Sequence, residues 1–134
     1  MRNQSEIMLN YGGPYLTKKF TDLAPSDLTR LPNLTQFHCC TGAEWIYLHL
    51  FNGKNMHWYL AEYGPIGKRF FGFFEDRSNG ISSGFYSVED IMKWCKKGGP
   101  WEPLVDENWT PTEAKKVANL QGYIKMIVCP PDTL

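Results

Sequence analysis

The sequence lacks any apolar run near the roughly 18 residues that a membrane-crossing helix requires. It also lacks an excess of charge of either sign: 14 lysines and arginines balance 14 aspartates and glutamates. Proteins that hold nucleic acid nonspecifically carry a strong positive field, because their affinity comes from neutralising phosphates. That footprint is missing overall. A chain without net charge is better suited to associating with another protein, a homodimer being one such outcome.

The four cysteines, Cys39, Cys40, Cys95 and Cys129, contain no C-x-x-C spacing. Neither a zinc ribbon nor a thioredoxin-like site is indicated. His38, His49 and His57 have no metal-ligand spacing with Cys39 or Cys40. Neither a metal nor a Cys/His nucleophile is expected. Glu44, Glu62, Glu75 and Asp76 are scattered, with no sign of two carboxylates converging for acid/base work. Gly64-Pro65-Ile66-Gly67-Lys68 lacks the spacing of a phosphate loop and the serine or threonine that should follow. No catalytic residue, metal or cofactor is therefore expected. The start, Met1-Arg2-Asn3-Gln4-Ser5-Glu6, has no apolar export core. The expected location is the cytoplasm, with the thiols reduced.

What the sequence does hold is rings. Its 134 residues suit a single domain, 1–134, yet carry 5 Trp, 7 Tyr and 8 Phe, so some rings should lie at a surface or in a groove. Two short helical turns are predicted, Lys18 to Leu23 and Ser26 to Leu31, broken by Pro25 and Pro32. Leu34 to Cys40 alternates as a strand. Trp45 to Phe51 and Met56 to Tyr63 flank Asn52-Gly53-Lys54-Asn55, the sequence's strongest hairpin signal. Lys68 to Glu75 is apolar on both sides and predicts a central strand, and a shorter strand ends at Phe85-Tyr86.

Ser87, with Asp90 three residues on, caps a helix whose apolar face is Ile91, Trp94 and Cys95, stopped by Gly98. A second helix is predicted from Thr110 to Leu120, with Pro111 at its first position, and a last strand from Tyr123 to Val128. The expected class is α+β: an antiparallel sheet of about five to six strands, two main helices and short N-terminal helical turns.

An even-residue hairpin loop pairs odd positions on one arm with even positions on the other. One face then carries Trp45, Tyr47, His49 and Phe51 with Met56, Trp58 and Glu62. The other carries Ile46, Leu48 and Leu50 with His57, Tyr59 and Ala61, and suits the core. The ring-rich face has two uses open to it: cover by the Ser87–Lys97 helix through Trp94, or service as a partner-binding platform built on Trp45, Tyr47, His49, Phe51, Trp58 and Glu62. An odd-residue loop would reverse the pairing. Lys68-Arg69-Phe70-Phe71-Gly72-Phe73-Phe74 echoes an RNA-stacking strand, but four strands precede the first strong helix, which does not fit an RNA-recognition fold.

Four motifs carry a resemblance: Tyr15-Leu16-Thr17, Trp58-Tyr59-Leu60-Ala61-Glu62, Phe70-Phe71-Gly72-Phe73 and Gly84-Phe85-Tyr86-Ser87-Val88-Glu89-Asp90-Ile91. In that order and spacing, the stretch from Tyr15 to about Ile91 resembles a bacterial family known as domain of unknown function 2958, found on phages, plasmids and related mobile elements. The family's segment before its last motif is acidic, whereas Asp76 to Ser83 is less so. The resemblance implies an accessory protein of a mobile element and assigns no catalytic residue. The expected function is stoichiometric inhibition of a host bacterial defence system, of the anti-CRISPR or anti-restriction kind, by contact with a host defence protein or complex. The alternative is a single-stranded nucleic-acid or nucleotide binder using the rings of Trp45, Tyr47, Trp58 and Phe70 to Phe74.

Overall fold

The computed structural model describes residues 17–34, 42–52, 56–76, 80–97 and 103–127. In chain order these form β1 (Thr17–Lys19), a 3-10 turn (Phe20–Asp22), α1 (Pro25–Leu28), β2 (Trp45–Ile46), β3 (Leu48–Asn52), β4 (Met56–Gly64), β5 (Arg69–Asp76) and β6 (Gly80–Ser87). Then follow α2 (Val88–Lys97), β7 (Leu104–Asp106), β8 (Thr112–Glu113), 3-10 turns at Ala114–Lys116 and Ala118–Leu120, and α3 (Gln121–Ile127). Six strands make one antiparallel sheet in the order β1-β7-β3-β4-β5-β6, and β2 pairs with β8 in a second, two-stranded sheet. The fold is α+β.

Both faces of the large sheet are covered. On the first, Leu50, Trp58, Leu60, Tyr63, Phe70 and Phe74 pack with Phe20, Leu31 and Ile91 of α2. On the second, Tyr59, Ala61, Phe71 and Phe73 pack beneath Ala114, Val117, Leu120 and Ile124. The four phenylalanines of β5 alternate between these two cores, so the strand is apolar on both sides, as its sequence predicts. Burying a strand twice removes the alternation that one wet face would impose.

A β-bulge bends β4. The β4–β5 register steps from Leu60↔Gly72 to Glu62↔Phe71, leaving Ala61 as the extra residue. Beside it, a side chain on Gly72 would meet the Tyr59 carbonyl oxygen at 2.2 Å. Only glycine fits there.

The α2 cap is as predicted: the Asp90 N–H donates to Ser87 Oγ at 2.9 Å. Ser87→Ala should lower stability by about 1 kcal/mol, seen as a lower denaturant midpoint with unchanged slope. The Trp94 side chain expected to cover the sheet, and the predicted Leu34–Cys40 strand beyond Leu34, lie outside what is described.

Three predicted elements take another form. Lys18–Leu23 begins as β1, because Thr17–Lys19 pairs with β7, and turns helical only at Phe20. Thr110–Leu120 is β8 followed by two 3-10 turns. Its amides donate elsewhere, Ala114 N–H to Glu44 O and Lys115 N–H to Gly42 O, so no continuous helical ladder can form. Tyr123–Val128 is not a strand: residues 121–127 form α3, whose Tyr123 and Ile124 join Leu120 against the second core while Lys125 and Met126 face outward. That i, i+3, i+4 spacing is helical.

Candidate functional site

The hairpin register corrects the expected platform. Leu48 pairs with Leu60, Leu50 with Trp58 and Asn52 with Met56, so three residues, 53–55, separate the arms and even positions oppose even ones. His49 and Phe51 therefore share a face with His57 and Tyr59, while Trp58 lies on the opposite face. Trp58 and Phe51 are each only 1% exposed. Trp45 is half exposed in β2 opposite Glu113, and Glu62 follows the bulge opposite Phe71. The six residues form no common surface. Tyr47 alone of the six lines an open cleft.

That cleft, about 430 Å³, lies between the α1 region and residues 105–111. Tyr47, Trp109 and Arg30 line it together with Lys18, Asp106 and Glu107. The Trp109 indole donates to the Ile46 carbonyl at 2.9 Å, which fixes the ring. Lys18 sits 3.5 Å from Asp27 and 3.7 Å from Glu107, tying the α1 side to the turn after β7. The Ala24 N–H bond to Asp27, reinforced by Lys18 and Arg30 and partly offset by burial, holds that carboxyl below its usual range. Asp27 thus remains an anion at the cleft wall at neutral pH.

Behind the cleft runs a polar seam that crosses four strands. Asp106 of β7 accepts from His49 Nδ1 at 3.0 Å, and His49 Nε2 lies 2.9 Å from His57 Nδ1. The second Asp106 oxygen accepts from the Asn108 N–H at 3.0 Å. Tyr59 stacks on His49 with centroids 5.0 Å apart and planes within 7°, and Trp109 lies tilted against both, 5.0 Å from His49 and 6.0 Å from Tyr59. The Tyr59 hydroxyl donates to Glu75 at 3.1 Å, where Asn119 also donates, at 3.3 Å.

Chemistry dictates the protons. A carboxylate only accepts, so His49 donates from Nδ1–H to Asp106, and a neutral His49 ring then offers Nε2 as the acceptor for His57 Nδ1–H. The seam thus runs from His57 through His49 to Asp106 at the cleft wall. Its structural role is to fix Asp106, and with it β7, against β3.

The sequence reading set His49 and His57 on opposite faces because it took the loop as even. The signal that would have joined them is the odd-loop alternative, in which every odd residue of the ribbon changes company. Asp106 carries no local signal, being 57 residues from His49. Among the described residues, no group of three or more His, Cys, Asp or Glu side chains is placed to hold a metal ion, and no helix is long and apolar enough to cross a membrane. In comparisons with known proteins, no family model, curated protein or solved structure matches the chain.

Proposed function

We propose that the chain is a cytoplasmic, mobile-element binding protein that inhibits a host bacterial defence system, of the anti-CRISPR or anti-restriction type, by stoichiometric contact through the cleft. The observation that supports this is the convergence of Tyr47, Trp109 and Arg30 on one open concavity. Tyrosine, tryptophan and arginine are the residue types that dominate interface hot spots, where a few side chains supply most of the binding energy. The Trp109 ring, already hydrogen-bonded and packed against His49 and Tyr59, would lose little entropy on contact. The family resemblance supplies the biological setting. The nucleic-acid alternative draws on Trp45, Tyr47, Trp58 and Phe70 to Phe74; of these, Trp58 and the β5 phenylalanines are enclosed in the two cores, which leaves it Trp45 and Tyr47.

The test is phage plating on a defended strain with the protein expressed, alongside purification of the complex it forms. Arg30 is exposed, so Arg30→Glu should leave the fold intact. It is expected to weaken the complex about thirtyfold, roughly 2 kcal/mol, and to restore defence accordingly. Unchanged plating together with no stable complex would sink the proposal.

A further inference from the structure

The hydrogen-bonding groups of the cleft do not match one another. Each carboxylate in its lining has a partner: Asp27 has the Ala24 N–H at 2.8 Å and Lys18, Asp106 has His49 and the Asn108 N–H, and Glu107 has Lys18. The Lys18 ammonium is therefore committed between two acids, and the Trp109 indole N–H is committed to the Ile46 carbonyl. Two donors remain. Among the described residues, neither the Arg30 guanidinium nor the Tyr47 hydroxyl has a hydrogen bond or an ion pair, and Arg30 meets Asp27 only as a nearby charge. What the cleft lacks is an acceptor, and the charge on Arg30 favours an anionic one.

The backbone holds Arg30 ready. Just after α1, the Leu31 N–H donates to the Leu28 carbonyl at 3.1 Å, and the Pro32 carbonyl accepts from the Tyr63 N–H of β4 at 2.9 Å. Leu31 itself is seated in the first core. The chain is pinned immediately beyond Arg30 while the arginine side chain stays exposed. An incoming carboxylate can thus form the two parallel bonds of a guanidinium pair without displacing a protein partner.

The other charges limit what that anion can be. Three carboxylates and two cations line the cleft, so a string of negative charges such as a nucleic-acid backbone is repelled there. One carboxylate has one uncommitted cation to meet. The rest of the lining, with the rings of Tyr47 and Trp109 beside Leu23, Leu48 and Val105, suits apolar side chains.

We propose that the cleft takes a segment of its partner protein that carries a single aspartate or glutamate among apolar residues, with the carboxylate paired to Arg30. This rests on the cleft being the contact site in the function proposed above, and it adds the chemistry of what enters.

The probes are short peptides with blocked ends: leucine and serine about one central glutamate, the same peptide with glutamine or lysine in its place, and one with three consecutive glutamates. An oligothymidylate is the nucleic-acid probe. Binding to the full chain is followed by NMR at the Trp109 indole N–H and the Arg30 Nε–H. The single-glutamate peptide should shift both signals and bind about tenfold more tightly than each of the other probes. Arg30→Gln should remove that advantage while leaving the glutamine peptide unaffected, and Arg30→Lys, which keeps the charge without the fork, should restore part of it. The amide spectrum of each variant checks that the fold is unchanged. The proposal is overturned if no peptide shifts either signal, if another probe binds as tightly as the single-glutamate peptide, or if that peptide ignores Arg30→Gln. A defence-protein complex without any preference for the glutamate peptide would overturn this inference alone. A glutamate peptide held at Arg30, with neither complex nor phage protection, would overturn the functional reading alone.

Discussion

Replacing Gly72 with valine is expected to lower the midpoint of thermal unfolding by roughly 10 °C, or to prevent folding altogether. A Cβ there would sit 2.2 Å from the Tyr59 carbonyl oxygen and 2.9 Å from the Leu60 Cα, both backbone atoms of the neighbouring strand. No rotamer can relieve such a contact, so β4 and β5 must separate where the Ala61 bulge already bends the ladder. Overpacking of this kind costs about 3 kcal/mol at the upper end of its usual range. Phe71 and Phe73 flank Gly72 in one core, and Phe70 and Phe74, two residues away on either side, sit in the other, so the strain would spread to both. Gly72→Ala carries most of the same clash and should show most of the loss in a differential scanning experiment. A midpoint within 2–3 °C of the unsubstituted protein would mean that the strands can part there without cost, contrary to this account.

Gly72 also shows what the sequence could and could not convey. Phe70 to Phe74 as a doubly buried strand was legible, because burial on two faces leaves a continuous apolar run. The hairpin was legible for the same local reason: two apolar arms about an Asn-Gly. Its register was not. Asn52 pairs with Met56 and not with Asn55 or His57, and a slip of one position sends every side chain to the opposite face. The expected ring platform therefore dissolved although both strands were in place. The β7 strand escaped notice because three residues between β1 and β3 carry too short a pattern to register, yet it delivers Asp106 to the site. The C-terminal segment misled through its proline and capping residues, which promised a helix that tertiary hydrogen bonds to Gly42 and Glu44 replaced.

Within the seam, His49 should matter about three times as much as His57. His49 holds two bonds, one directly to a carboxylate that is only 12% exposed, whereas His57 bonds the His49 ring on the side away from Asp106. His49→Leu is expected to cost about 3 kcal/mol, because it strips the largely buried Asp106 carboxylate of its imidazole donor and sets a methyl group against His57 Nδ1. His57→Leu should cost about 1 kcal/mol, since Asp106 and His49 remain bonded. The double variant is the decisive measurement. Once His49 is gone the His57 bond no longer exists to be lost, so the pair should cost less than the sum of the single changes, by about 1 kcal/mol in urea unfolding. Strict additivity would show that the 2.9 Å contact contributes nothing to stability. A His57→Leu loss equal to that of His49→Leu would place the anchor of β7 at His57 and away from Asp106. The cleft should respond in the same order: with Asp106 released, Glu107 and Trp109 lose the support that sets the wall, so His49→Leu should weaken partner binding while His57→Leu leaves it nearly unchanged.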